Sequence, residues 1–281
     1  MRISDFGMRI GKAMIDLVDD MGRQVKLGGP AARIVCLVPS ITETLFALGA
    51  GDRVVGVTQY CIHPFDGVSD KSKVGGTKNI FVEKILSLQP DLVIANTEEN
   101  RKHQIAKLEN LGSRVFVTFP KNIDGCLKMI RDVAFLTATE TAAAPILAAI
   151  EAARAEAKLR IREPRPSVLC PIWKNPYMTI NRDTFVSAVI RESGGTNVFD
   201  SASERYLKFS LEEAAGLKPD VILLPTEPYR FQEVDKADFE AFDSIPAVLS
   251  GRIHLVEGEL VSWYSPRVSS ALRRFSALLY P

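Results

Sequence analysis

Glu83-Lys-Ile-Leu-Ser-Leu-Gln-Pro-Asp-Leu-Val-Ile94 and Glu212-Glu-Ala-Ala-Gly-Leu-Lys-Pro-Asp-Val-Ile-Leu223 follow one pattern. In each segment a glutamate opens a short helical stretch, a Pro-Asp pair ends it, and an apolar run follows. Proline cannot continue a helix without losing a hydrogen bond, and it pushes the residue before it toward extended backbone. The pattern therefore predicts a helix, a break and a buried strand in each copy.

A second pair of segments recurs at nearly the same offset. Arg33-Ile-Val-Cys-Leu-Val38 corresponds to Pro166-Ser-Val-Leu-Cys-Pro171. Short apolar runs of this kind are typical of strands that are buried on both faces of a parallel sheet. Two repeated pairs nearly in register indicate two similar lobes, because their separation is too long for a solenoid repeat.

Strands and helices alternate along the chain, which predicts an α/β fold with parallel sheets and right-handed crossovers. Strands are predicted at 33–38, 53–57, 92–95, 115–118, 168–173, 221–224 and 253–256. Residues 124–162 have a helical composition with a break near 137–141, and Pro145 suits the first turn of the second helix. We therefore predict an N-terminal lobe at 15–136, a connecting helix at 137–164 and a C-terminal lobe at 165–281.

Local signals predict where several elements begin. Ser40, with Glu43 three residues later, predicts a capping box for the first helix. Asp183 predicts the start of a helix in the second lobe, and Pro266 predicts the start of the terminal helix. Residues 15–27 predict a hairpin or an extended arm, and residues 60–77 predict a long loop of the kind that often carries function.

Composition limits the possible functions of the chain. Its 281 residues are 46% hydrophobic and 25% charged with a net charge of +1, which is ordinary for a globular protein. The balance gives no general attraction to nucleic acid, so we expect no nucleic-acid partner. No stretch approaches the ~20 apolar residues of a membrane span. Charged residues interrupt every apolar run in 1–27, so we expect a soluble chain without an export signal.

Enzyme motifs are absent from the sequence. Gly49-Ala50-Gly51 follows a predicted helix and precedes a strand, whereas a dinucleotide fingerprint needs the reverse order. Neither a phosphate-binding loop nor a nucleophile elbow occurs. The four cysteines match no zinc or redox spacing, and His103 and His254 have no partner at ligand spacing. His63 could ligate a metal, but a lone histidine in a loop more often faces solvent. We therefore expect no catalysis, no intrinsic cofactor and no metal site.

Five segments together carry a family resemblance. They are Arg33-Ile-Val-Cys-Leu-Val-Pro-Ser-Ile-Thr-Glu43, Val54-Val-Gly-Val-Thr58, Val74-Gly-Gly-Thr77, Leu88-Gln-Pro-Asp-Leu-Val-Ile94 and Trp263-Tyr-Ser-Pro-Arg267. The chain resembles the substrate-binding proteins of ABC importers for cobalamin, haem and iron-siderophores, and the cobalamin-binding branch most closely. The resemblance covers roughly 16–279 and implies a class III periplasmic binding protein. Such proteins have two Rossmann-like lobes with parallel sheets, one long rigid connecting helix and a ligand cleft between the lobes.

The resemblance also implies roles for individual residues. Glu83 and Glu212 match the glutamates that dock onto arginines of the membrane permease, which would be the protein partner. The positions that match ligand contacts of the family are Tyr60, Trp173, Tyr206, Glu259, Trp263 and Tyr264. Flat aromatic faces suit the edge of a large macrocycle. Thr77 stands where the cobalamin branch can have tryptophan, so a corrinoid, haem and a ferric siderophore all remain open as ligands.

These expectations combine into a monomeric receptor that captures a corrinoid or metal chelate and delivers it to an ABC importer. By resemblance it would work in the periplasm or cell envelope. The alternative is a cytosolic carrier or processing protein of the same fold that acts without a permease. The missing export signal is the main support for this alternative.

Overall fold

The computed structural model describes residues 14–281. Residues 1–13, which belong to the segment where the sequence predicts no export signal, lie outside the described part. The described chain divides into two compact units. The first runs to Phe119 and includes Arg131–Glu140, and the second comprises Pro120–Ile130 and Thr141–Pro281. The boundaries of the lobes and connecting helix inferred from sequence remain a prediction.

The first unit contains seven strands of the described chain and the second contains six. The strands are β1 Ile15–Val18, β2 Gln24–Leu27, β3 Ile34–Cys36, β4 Val54–Val57, β5 Ser72–Lys73, β6 Leu92–Asn96, β7 Val115–Thr118, β8 Ser167–Leu169, β9 Met178–Ile180, β10 Thr196–Asn197, β11 Tyr206–Lys208, β12 Val221–Pro225 and β13 Ile253–Val256. The α-helices are α1 Pro39–Ala47, α2 Phe65–Val68, α3 Val82–Ser87, α4 Lys102–Asn110, α5 Ile123–Thr137, α6 Glu140–Arg160, α7 Phe185–Glu192, α8 Leu211–Gly216, α9 Ala237–Glu240, α10 Pro246–Leu249, α11 Gly258–Ser262 and α12 Val268–Leu279.

Each unit is built on a parallel sheet, which confirms the predicted α/β fold. The first sheet has the order β5-β4-β3-β6-β7, and the second has the order β10-β8-β12-β13. Without the edge strand β5, the first order matches the second strand for strand. Every residue of β6 and β12 is buried, because strands of a parallel sheet are covered on both faces. The two similar lobes expected from the repeated segments are therefore present.

The Pro-Asp pairs join neighbouring strands in the same way in both units. Asp91 accepts hydrogen bonds from the backbone N–H groups of Ala32 (2.8 Å) and Arg33 (3.0 Å). Asp220 accepts one from the backbone N–H of Ser167 (2.8 Å), whose hydroxyl also donates to it. Each aspartate therefore fixes the start of the adjacent strand, β3 in the first unit and β8 in the second.

The backbone before each proline differs from the extended conformation expected from sequence. Gln89 and Lys218 both have φ of 48°, in the left-handed region. Each directly follows the C-cap residue of its helix, where a left-handed residue commonly reverses the chain. The left-handed conformation that reverses the chain at the helix end is therefore adopted in place of the extended conformation that a following proline favours.

Four predicted helix starts are wrong in detail, and one of them is Pro266, because α12 begins at Val268. Pro39 occupies the first turn of α1, so Ser40 lies inside the helix and makes no cap hydrogen bond. Thr184 rather than Asp183 caps α7, because its side chain accepts a hydrogen bond from the N–H of Ser187. Pro145 lies inside α6, which already begins at Glu140.

Other expectations are confirmed. Residues 15–27 form the antiparallel β1–β2 hairpin, and the predicted face of α12 is buried. The break between the two long helices falls at 138–139. None of the helices in the described part of the chain is long and apolar enough to cross a membrane.

Candidate functional site

The strand order of each sheet marks a place for a ligand. Order reverses between β3 and β6 in the first unit and between β8 and β12 in the second. In open α/β sheets, ligands bind outside the carboxyl ends of the strands at such a reversal, because the connections leave in opposite directions there. Functional side chains are therefore expected in the segments that follow these strands.

In the first unit, Tyr60 lies in the turn after β4. Its side chain is 55% exposed. The turn is held in place because the N–H of Gln59 donates to the carbonyl of Gly75 (2.9 Å). The ring lies over Gly76, where an added Cβ would come within 3.2 Å of the Tyr60 ring. A glycine at this position therefore lets the exposed aromatic face lie close to the backbone.

A buried amide network supports the same edge of the first sheet. Asn100 donates through Nδ2 to the carbonyls of Thr77 (2.9 Å) and Leu37 (3.3 Å), and its Oδ1 accepts from the N–H of Asn96 (2.9 Å). Burial raises the pKa of the neighbouring Glu99, an effect that nearby Lys78 opposes. The network connects the segments after β3, β5 and β6. Sequence analysis missed Asn100, although its place just after the repeated strand was a usable signal.

In the second unit, Trp173 follows β8 and is 43% exposed. Its carbonyl accepts from the N–H of Met178 (3.0 Å), so the intervening residues form a closed turn. Tyr229, which follows β12, contacts the Trp173 ring edge-on with a centroid distance of 5.9 Å. The two aromatic side chains therefore meet where the strand order reverses. Sequence analysis missed Tyr229.

An ion-pair network fixes the turn that carries Trp173. Lys174 Nζ lies 2.6 Å from carboxylate oxygens of both Asp235 and Asp238. The hydroxyl of Tyr177 also donates to Asp238. Partial burial favours the neutral amine of Lys174, but the hydrogen bonds to both carboxylates outweigh this effect, so its pKa is raised. The hydrogen bond from Lys174 lowers the pKa of Asp238.

Tyr206, in strand β11, is 42% exposed and lines a pocket of about 560 Å³. We call this the Tyr206 pocket; it is formed by Met178 and residues within 202–208. The guanidinium of Arg205 lies 5.8 Å from the centre of the Tyr206 ring. This pocket provides an aromatic surface next to polar groups.

The remaining predicted contacts lie in and just after α11. Glu259 is half-buried in the first turn of this helix. Trp263 and Tyr264 are buried. Trp263 donates through Nε1 to Glu227 (3.1 Å), and Tyr264 packs edge-on against Phe185 at 5.7 Å. Both aromatic side chains are therefore packed in the interior of the second unit, whereas those of Trp173 and Tyr206 are exposed.

Glu83 and Glu212 occupy equivalent exposed positions, each in the first turn of a six-residue helix. A hydrogen bond from Lys107 Nζ (2.9 Å) lowers the pKa of Glu83. The pKa of Glu212 is lowered by its own backbone N–H and by the hydroxyl of Ser210. Both side chains therefore carry a negative charge at neutral pH.

Neither metal binding nor thiol chemistry is indicated in the described chain. No cluster of three His, Cys, Asp or Glu side chains within residues 14–281 could hold a metal ion. All four cysteines are free and buried. Burial raises the pKa of the Cys36 and Cys170 thiols to about 12, so these thiols stay protonated.

Comparisons with known proteins agree with this architecture. Residues 34–259 match the family described as periplasmic binding protein. The vitamin B12-binding protein of Vibrio campbellii is 29% identical over 198 residues, which cover 69% of this chain and 70% of that protein. The uncharacterized ABC transporter substrate-binding lipoprotein YvrC of Bacillus subtilis is 28% identical over 273 residues, which cover 94% of this chain and 85% of that protein.

A solved structure shows the same fold. The periplasmic vitamin B12 binding protein BtuF of Vibrio cholerae superposes with a TM-score of 0.77 at 24% identity, covering 89% of this chain and 97% of that chain. The chain belongs to the periplasmic binding protein family. The resemblance inferred from sequence is confirmed, and the family consists of binding proteins rather than enzymes.

Proposed function

We propose that this chain is the solute-binding component of an ABC importer and that it catalyses no reaction. The observation that carries the proposal is the family match over 34–259. The proposed partners are a small-molecule ligand and a transmembrane permease, with no nucleic acid. The protein acts as a monomer in the cell envelope.

The proposed ligand is a corrinoid or a related flat metal chelate. Relatives named vitamin B12-binding proteins support the corrinoid class. Tyr60, Trp173 and Tyr206 present exposed aromatic faces, and such faces bury much area with little loss of rotamer entropy. Glu259 supplies a polar contact. Trp263 and Tyr264, being buried, support the ligand-binding segments from within rather than by stacking.

Permease docking is proposed for Glu83 and Glu212. An exposed carboxylate can accept two parallel hydrogen bonds from one arginine, which gives both affinity and orientation. The equivalent placement of the two glutamates in two similar units supports a partner that presents two equivalent basic sites.

Calorimetric titration tests the ligand. Cyanocobalamin, haemin and a ferric siderophore are titrated into the wild-type protein and into Tyr60→Ala and Trp173→Ala. Leu159→Ala, which truncates an exposed apolar side chain in α6, is the control. We expect one-to-one binding of cyanocobalamin that both aromatic substitutions weaken and the control leaves unchanged. Binding of none of the three ligands would refute the receptor function.

Charge reversal tests docking. Glu83→Arg and Glu212→Arg are expected to abolish stimulation of the ATPase of the cognate importer in proteoliposomes while ligand affinity stays unchanged. Glu240→Arg, at an exposed position in α9, is the matched control. Full stimulation by both variants would refute the docking role and favour the cytosolic carrier.

A further inference from the structure

The Tyr206 pocket contains two charged side chains besides its aromatic ring. Glu204 and Lys208 line the pocket on either side of Tyr206. Both side chains are exposed to solvent. Both charges therefore lie beside an exposed aromatic ring, within reach of a ligand that contacts it.

The backbone directs these side chains toward one surface. β11 pairs with β9 in antiparallel register, with Tyr206 opposite Ile180 and Lys208 opposite Met178. Successive side chains of a strand point to opposite faces. Leu207 packs against the apolar core of the second unit, so Tyr206 and Lys208 point to the opposite, exposed face. Glu204 reaches the same pocket from the segment that leads into the strand.

The two charges are not neutralised by the protein itself. Among the residues that the structure describes, no ion pair or side-chain hydrogen bond involves Glu204 or Lys208. By contrast, the side chains of Arg205 and Lys121 both form ion pairs with the carboxylate of Asp183, at 2.6 Å and 3.1 Å respectively. The pocket therefore offers one unpaired carboxylate and one unpaired ammonium group.

These two groups complement a carboxamide. A carboxylate only accepts hydrogen bonds and an ammonium group only donates them, whereas a carboxamide has both N–H donors and a carbonyl acceptor. A ligand carboxylate would be attracted to Lys208, but it would be repelled by Glu204, and like charges brought together at an interface discriminate against the wrong partner.

We propose that Glu204 selects a ligand edged by carboxamides over one edged by carboxylates, while Lys208 donates a hydrogen bond to an oxygen of either group. This inference rests on the proposed receptor function. A corrinoid carries carboxamides around its ring, whereas haem carries propionate carboxylates. Glu204 accepts from a carboxamide N–H, Lys208 donates to a carboxamide oxygen, and the Tyr206 ring packs against the apolar part of the same edge.

The test measures selectivity in the full-length protein. Dissociation constants for cyanocobalamin and haemin are determined for the wild type, Glu204→Gln, Lys208→Met and the surface control Glu240→Gln. Replacing a charge-assisted hydrogen bond by a neutral one is expected to weaken cyanocobalamin binding to Glu204→Gln by about tenfold. Haemin binding to Glu204→Gln is expected to strengthen, because the repulsion of its carboxylates is lost. Lys208→Met is expected to weaken both ligands.

The outcomes separate this inference from the proposed function. If the wild type binds cyanocobalamin through Tyr60 and Trp173 but Glu204→Gln leaves the ratio of the two affinities unchanged, the selectivity role is wrong and the receptor function stands. A wild type that prefers haemin also overturns the selectivity role. A wild type that binds neither cyanocobalamin nor haemin overturns the selectivity role, and it overturns the receptor function as well if the ferric siderophore does not bind either.

Discussion

Removing Lys174 should weaken the second unit measurably, and its surroundings allow the size of the effect to be worked out. The side chains of Lys174 and Asp235 are only 19% and 7% exposed. Removing one partner of a buried ion pair costs about 3–5 kcal/mol, whereas an exposed pair contributes about 1 kcal/mol or less. In Lys174→Met, Asp235 keeps the N–H of Gln232, and the partly exposed Asp238 keeps the hydroxyl of Tyr177. We therefore expect a loss of about 2–3 kcal/mol.

Urea unfolding followed by tryptophan fluorescence measures this loss. Both tryptophans of the chain, Trp173 and Trp263, lie in the second unit, so the signal reports that unit. Lys236→Met is the matched control, because it removes an ion pair with the well-exposed Glu233 and should cost less than about 1 kcal/mol. A loss in Lys174→Met no larger than in the control would refute the reasoning.

The ion pair between Lys174 and Asp238 predicts that the stability of the protein depends on pH. Lys174 lowers the folded-state pKa of Asp238, so this carboxylate contributes stability that is fully present above its unfolded pKa of about 3.9. The contribution is lost as the pH falls through the lower folded pKa. The free-energy difference between wild type and Lys174→Met should therefore stay constant near neutral pH and shrink in acid. A difference that grew on acidification would contradict this assignment.

Four further substitutions test other contacts. Asp220→Ala removes the acceptor at the start of β8 and should cost about 1–2 kcal/mol in urea unfolding; an unchanged midpoint would disprove the strand-fixing role. Lys107→Met releases Glu83 from its ion pair and should lower the protein concentration needed to stimulate importer ATPase; a higher requirement would count against docking there. Gly258→Ala places a Cβ against the backbone of the segment after β12 and should lower stability by about 1–3 kcal/mol. Gly216→Ala, where a Cβ meets no atom within 4 Å, should raise stability by about 0.5–1 kcal/mol, and equal effects of the two glycine changes would contradict the packing argument.

Elements whose signals are local were predictable from the sequence. The strands β6 and β12 combine an apolar run with a preceding Pro-Asp pair. A short, continuous apolar run is typical of a strand that is buried on both faces of a parallel sheet. The buried face of α12 was predictable because its apolar residues recur at helical spacing and so lie on one side of the helix. The shared strand order of the two units could also be anticipated, because the repeated segments occupy corresponding strands.

Features that depend on distant partners were not predictable. Tyr229 meets Trp173 only because β12 lies next to β8 in the folded sheet. Trp263 matches a ligand contact of the family by sequence, but its burial and its hydrogen bond to Glu227 depend on the segment after β12. Asn100 likewise connects three segments that are far apart in sequence.

The four buried thiols make the protein suitable for site-specific labelling. Each has a raised pKa caused by burial, and only the thiolate reacts rapidly with maleimides or spin-label reagents. A cysteine introduced at an exposed position of a helix would therefore react with the label while the four native cysteines stay unmodified. Lys84→Cys in the first unit and Glu240→Cys in the second, both at exposed positions, would each accept one probe that reports on its own unit.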